Sequence, residues 1–329
     1  MRLRSLLCAT ALATVAVASS GDRAPDFQKC VNKCQRMTCS TYNPTLALRL
    51  TRWSCTDDCR YMCMHTLTDY ALESGQGVQQ YYGKWPFYRF AGMQEPASVV
   101  FSLTNLLLHV WGLDEVRREV PTGHPMKQFY VRWAYISCNA WLWSSVFHTR
   151  DTSLTEKFDY FSAGLTILYS LYFSVVRLFH LYPVTPRARA PIMFYLWSLA
   201  CAVAYAGHVA YLTLRPRFDY SYNIAANVAL GLAHNALWLV FALPARLSVF
   251  RRFRARDRTY RPWYATRAAT AVALTTAATC LELFDFPPWM RTVDAHALWH
   301  LATAPLAVLW YDFLINDAMD PGWRAMRMR

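Results

Sequence analysis

Residues 191–213 read PIMFYLWSLACAVAYAGHVAYLT, 23 positions without an aspartate, glutamate, lysine or arginine. At about 1.5 Å of rise per residue, a helix of that length reaches about 34 Å, enough to cross a hydrocarbon core of roughly 30 Å. Similar segments recur from Pro96 onward, at roughly 96–113, 128–148, 159–182, 191–213, 220–243, 263–285 and 292–315. Several carry Trp or Tyr near their ends, as interfacial anchors do. The pattern predicts an all-α membrane protein: a seven-transmembrane helix bundle over 96–315, followed by a tail over 316–329.

Composition agrees. The 329 residues are 55% apolar and 16% aromatic but only 17% charged, against roughly 25% in soluble domains. The net charge of +13 therefore sits on a charge-poor background. That argues against a nucleic-acid partner, and the apolar content excludes a disordered chain. Loops 114–127, 183–190 and 244–262, with the tail, hold 15 Lys and Arg, while the alternate loops 149–158, 214–219 and 286–291 hold 5. The positive-inside rule puts the first set and the C-terminus in the cytosol. The run Arg251-Arg252-Phe253-Arg254-Ala255-Arg256 is then expected to be a solvated cytosolic loop near anionic lipid.

The beginning of the chain reads as a signal peptide over 1–18: Arg2 and Arg4, an apolar stretch from Ser5 to Val17, and the small-residue site Ala16-Val17-Ala18. The segment 19–95 then lies in the secretory lumen. It holds Cys30, Cys34, Cys39, Cys55, Cys59 and Cys63, an even set that reads as a disulfide framework with about 15 connectivities open. Zinc binding is the competing reading of these cysteines. The i, i+4 spacings suggest two short helices stapled together.

Ionisable residues within spans mark function by default. Ser144 and His148 end the second span, Asp159 opens the third, and His296 and His300 begin the seventh. Ser144/His148 and His296/His300 are i, i+4 pairs, so each pair shares a helix face. The alternating topology brings all five residues to the lumenal side. Three neutral imidazoles with a fourth position open describe a catalytic Zn2+ site. Asp159 would take a proton from water, and Ser144 would support the water or the oxyanion. The competing reading is a set of packing histidines bonded to neighbouring helices. His180, His208 and His234 lack paired spacing and read as packing or cavity residues, and Asp285 and Asp294 as interfacial. No Gly-x-Ser-x-Gly elbow is present.

Ser144-x3-His148, Asp159 and His296-x3-His300 resemble the pattern of the CREST superfamily of seven-helix membrane hydrolases. The Cys-x3-Cys-x3-Cys segment, Tyr82-Gly83-Lys84-Trp85-Pro86-Phe87 and Phe147-His148-Thr149-Arg150-Asp151 more closely resemble the post-GPI-attachment-to-proteins factor 3 family, over nearly the whole mature chain. That resemblance implies removal of the sn-2 acyl chain from GPI-anchor phospholipid in the endoplasmic reticulum or Golgi membrane. It implies GPI-anchored proteins and membrane lipids as partners. His148, His296 and His300 would be metal ligands, and Ser144 and Asp159 catalytic residues. Asp151 also matches, and would cap its loop or orient His148. A non-catalytic lipid receptor or chaperone and a ceramidase-like amidase are the alternatives.

A reporter fused after Arg329 is expected in the cytosol, and a protease-protected tag after Ala18 in the lumen. Both ends on one side would require an even number of spans and would separate the histidine pairs.

Overall fold

The computed structural model describes residues 19–183, 188–283 and 285–326, so the expected signal peptide at 1–18 lies outside the described residues. Four helices form the Cys-rich segment: α1 (Ser20–Arg23), α2 (Pro25–Thr38), α3 (Leu46–Leu50) and α4 (Cys55–Glu73). Seven long ones follow: α5 (Pro96–Glu119), α6 (Lys127–Thr149), α7 (Ser153–Leu178), α8 (Ile192–Leu214), α9 (Tyr220–Ala242), α10 (Ala265–Leu283) and α11 (Ala295–Met319). Among the described residues there is no strand, only isolated bridges such as Tyr81 with Lys84.

All six early cysteines are paired: Cys30–Cys63, Cys34–Cys59 and Cys39–Cys55. Ascending positions on α2 meet descending positions on α4, so the two helices run antiparallel with a rung about every turn. Ser54 starts α4 with a reciprocal capping box to Asp57, which satisfies backbone donors the helix itself leaves free. Phe27, Val31 and Tyr81 close the small core beside Cys63.

The long helices pack in a ring. α5 touches α6 and α11, α6 touches α7, α7 touches α9, α9 touches α10, and α10 returns to α11. α8 packs on α7 from outside, and only 6% of its apolar window is buried within the protein. This stretch is apolar all round and largely unburied within the protein, as a helix suited by length and composition to cross a membrane is. Gly112 lets α5 and α11 meet: a Cβ there would fall 2.2 Å from the Tyr311 ring.

Five of the long helices (α5, α7, α8, α9 and α11) are apolar enough to cross a membrane. The other two expected spans, α6 and α10, fall short on hydropathy although α6 matches α8 in length. Both lie between ring neighbours, where polar side chains find partners. In α10, Thr270, Thr276 and Thr279 donate to carbonyls one turn back at 3.1, 2.8 and 2.9 Å, so their hydroxyls are satisfied within the helix.

At the end of the bundle remote from the histidine pairs, Arg251, Arg254 and Ala255 are exposed as a solvated loop requires, and the reading is corrected only at two positions between them. Arg252 and Phe253 are each only 1% exposed. Arg252 donates to the carbonyls of Phe241 and Leu243 at 2.7 and 2.5 Å, groups that the end of α9 leaves without helical donors. Arg177 of α7 and Asp317 of α11 form a fully buried two-pronged ion pair at 2.7 Å, and Arg177 also donates to the Arg252 carbonyl. Removing one partner of such a pair typically costs about 3–5 kcal/mol.

Non-reducing peptide mapping of the mature protein is expected to recover the three observed pairs and no other pairing of these six cysteines. Cys59→Ser should free Cys34 and cost about 2–4 kcal/mol of stability, read as a lowered denaturation midpoint and retention of the protein in cells. Six free thiols would overturn the assignment.

Candidate metal centre

Three helices supply the site. The last turn of α6 carries Ser144 and His148, the first turns of α11 carry His296 and His300, and α5 carries Ser102 two turns in. Asp294 caps α11 by accepting from the Ala297 amide at 2.8 Å, which fixes where the helix begins and hence where its histidines point. The backbone amides of Gln94 and Glu95 donate to the carbonyls of Thr149 and His148, each at 3.0 Å. That pins the start of α5 to the end of α6.

The imidazoles converge on their Nε2 atoms. His296 Nε2 lies 2.9 Å from His300 Nε2 and 3.3 Å from His148 Nε2, and ligand-capable nitrogens of all three fall within 4.8 Å of one another. Facing lone pairs at such distances repel unless a proton or a cation lies among them. A tetrahedral zinc with Zn–N bonds near 2.0–2.1 Å would space its ligand nitrogens about 3.4 Å apart, so the donor set fits that ion. His148 and His300 are 2% and 1% exposed; His296 is half-buried and stacks on Trp299.

Two of the outer nitrogens are held in the way that metal-ligating histidines commonly are. Glu95 Oε2 lies 2.8 Å from His148 Nδ1 and Ser102 Oγ lies 2.8 Å from His300 Nδ1. A proton on each Nδ1 leaves Nε2 with its lone pair toward the centre. Burial would push the Glu95 carboxyl up, but Lys84 and then His148 hold it well below the usual carboxylate range. Burial likewise opposes the Lys84 ammonium, which Glu95 and Asp151 nonetheless keep charged above the ordinary lysine range.

Ser144 is buried, its Oγ 3.0 Å from Ser102 Oγ. With His300 Nδ1 donating to Ser102, the Ser102 hydrogen passes to Ser144, whose own hydrogen is left for the site. Ser145 instead donates to the Trp141 carbonyl at 2.6 Å. Asp159 is half-buried in the second turn of α7, and its neighbour Tyr160 packs on Phe147 at 6.3 Å between ring centres. Asp151 pairs with Lys84 at 3.1 Å, so it reaches His148 through Lys84 and Glu95.

The remaining candidates lie elsewhere. His180, beyond the end of α7, bonds to Tyr182 and to the Arg251 carbonyl. His208 lines a cavity of about 320 Å³ among α7, α8 and α9. His234 packs on Trp238 and Trp310. Asp294 is a helix cap, and Asp285 accepts from Gln80 and Trp85 of the Cys-rich segment at 2.8 and 2.6 Å. Sequence reasoning missed Glu95, Ser102 and Lys84 as site residues. Glu95 stands directly before Pro96, where a charge reads as an ordinary span boundary.

The fold and this cluster define a helical protein with apolar spans that carries a buried tri-histidine centre at one end of its bundle. The chain belongs to the Per1-like family, which it matches over residues 45–318. It is 41% identical over 316 residues to the GPI-specific phospholipase A2-like PGAP3 of Xenopus laevis, covering 94% of this chain and 93% of that one. To the Homo sapiens protein of the same description it is 39% identical over 317 residues, 93% and 92% of the two chains. The Protein PER1 homolog of Schizosaccharomyces pombe is 39% identical over 305 residues, 91% and 87%. No solved structure matches.

Glu95→Gln preserves shape but leaves His148 Nδ1 a weaker and less directional partner. Zinc retention against a chelator series is expected to fall by about 10–100-fold. Unchanged retention would show that Glu95 does not orient a ligand.

Proposed function

We propose that this chain is a zinc-dependent acyl hydrolase that removes the sn-2 fatty acid of GPI-anchor phospholipid. In this proposal all seven long helices cross a membrane of the early secretory pathway, the Cys-rich segment is lumenal and the C-terminus is cytosolic. The observation that carries it is the convergence of three Nε2 atoms, with the His148 and His300 rings held at Nδ1 by Glu95 and Ser102. The printed description of the relatives, GPI-specific phospholipase A2-like, supports the substrate class.

His148, His296 and His300 would hold the metal. A bound zinc supplies a water acidified to a pKa near ~7 and polarises the ester carbonyl. Asp159 takes the proton released as water adds to that carbonyl. Ser144, its oxygen already accepting from Ser102, turns its hydrogen to the developing oxyanion. The acyl C–O bond then breaks as Asp159 returns its proton to the departing oxygen, and the products are a fatty acid and a lysophospholipid alcohol. Burial of His148 and His300 keeps bulk water out of the centre.

His296→Ala is expected to abolish both metal retention and deacylation of GPI-anchored substrate. Asp159→Asn should keep the metal and lose about 10²–10⁴-fold in turnover, and Ser144→Ala about 10²–10³-fold; the wild-type protein should yield no trappable acyl-enzyme, which a serine nucleophile would leave. His234→Ala should retain activity near wild type. Normal hydrolysis by a folded His296→Ala protein would overturn the mechanism, and folded protein with zinc but no acyl release would favour a receptor or chaperone.

A further inference from the structure

One component of the site comes from outside the bundle. Tyr81 and Lys84 exchange backbone hydrogen bonds at 2.7 and 3.0 Å across Tyr82 and Gly83, both with positive φ, +52° and +80°. Such a tight reversal suits glycine at its second central position. The turn aims Lys84 away from the Cys-rich segment and toward the ends of α5 and α6. There its side chain is only 20% exposed. The ammonium pairs with Glu95 Oε1 and lies 3.1 Å from Asp151 Oδ2. It also sits 4.2 Å from the centre of the Phe147 ring, one residue before His148, a favourable cation–π placement.

Glu95 divides its oxygens: Oε1 meets Lys84 and Oε2 meets His148 Nδ1. A carboxylate anchored at one oxygen cannot swing about its terminal torsion, which is otherwise broad and roughly two-fold. Asp151 holds Lys84 from the other side, on the loop that follows His148. The order of contact is therefore Asp151, Lys84, Glu95, His148. A lysine drawn this far from water makes a costly tether unless its contacts are specific.

We propose that Lys84 is a positioning residue of the tri-histidine centre: by fixing Glu95 in the rotamer that meets His148 Nδ1, it makes the Cys-rich segment a working part of the site. This rests on the reading that the three histidines bind a metal. Lys84 touches neither metal nor substrate and acts only through Glu95. The charge and its position matter, and the aliphatic stem alone does not suffice.

The test uses the full-length protein in detergent, with its three disulfides verified by non-reducing mapping. Zinc retention is measured against a chelator series, and the visible absorption of the cobalt-substituted protein reports ligand geometry. Lys84→Met, similar in length but uncharged, is expected to release zinc about 10–100-fold more readily and to change the cobalt spectrum. Lys84→Arg should recover most of the retention, as a purely packing role would not require. The Lys84→Met/Glu95→Gln double variant should be no weaker than Glu95→Gln alone, because both changes break one contact chain. Additive losses, or wild-type retention in Lys84→Met, would overturn the proposal while leaving the metal reading intact. Wild-type protein that holds no zinc would overturn the metal reading, and this proposal with it. Should Lys84→Met fail to fold, Asp151→Asn loosens the same lysine from outside: a smaller shift in the same direction supports the proposal, and no shift refutes it.

Discussion

Three imidazole nitrogens held at 2.9 and 3.3 Å repel one another unless a proton or a cation lies among them, and much of the surrounding structure holds them there. The restraint is built from short-range contacts of different chemistry. A carboxylate holds one ring, a hydroxyl a second, and the third lies one helical turn from its partner and stacks on an indole. The helices that carry them are locked in turn by a cap at Asp294 and by the backbone pairing of Gln94 and Glu95 with the end of α6. Asn105 adds a bond to the His300 carbonyl at 2.7 Å, tying α5 directly to the histidine-bearing turn of α11.

The opposite end of the bundle solves a different problem. There the Arg177–Asp317 pair, Arg252 and the Tyr264 hydroxyl, which bonds to Asp320 at 3.0 Å, knit α7, α11 and the returning loop into one buried polar knot. Such a knot adds little net stability over an apolar core of equal volume, but it penalises any register shift between α7 and α11. Because α11 runs from this knot to the histidines, a slip at one end would displace the histidines at the other. The close approach at Gly112 and Tyr311 lies between the two and leaves no room for sliding.

Much of this was legible in the sequence, for identifiable reasons. Helical spans announce themselves through hydropathy, and i, i+4 histidines share a face on any helix, so the long helices and the Ser144/His148 and His296/His300 pairs could be placed in advance. The cysteine count implied bridges, but pairing depends on which way α4 runs back along α2, and no local pattern encodes that. Glu95 and Ser102 escaped because their partners stand 53 and 198 residues away. Arg252 was misread because a charge count cannot tell an arginine in water from one that caps orphaned carbonyls. Polarity in α6 reflects partners across the ring, as Trp133 with Ser170 and Asn139 with Ser162, and in α10 it is threonines satisfied within the helix; a hydropathy window sees neither.

The disulfide ladder also orders events in time. Its rungs are nested, with separations of 16, 25 and 33 residues, and all lie before α5 begins. A growing chain can therefore finish the ladder while the bundle is still unmade, and the rigid segment waits for the helices to be delivered to it. The last helix to arrive is α11, with His296 and His300 on its first two turns. A chain interrupted between residues 148 and 296 thus carries a complete Cys-rich segment but only one of the three imidazoles.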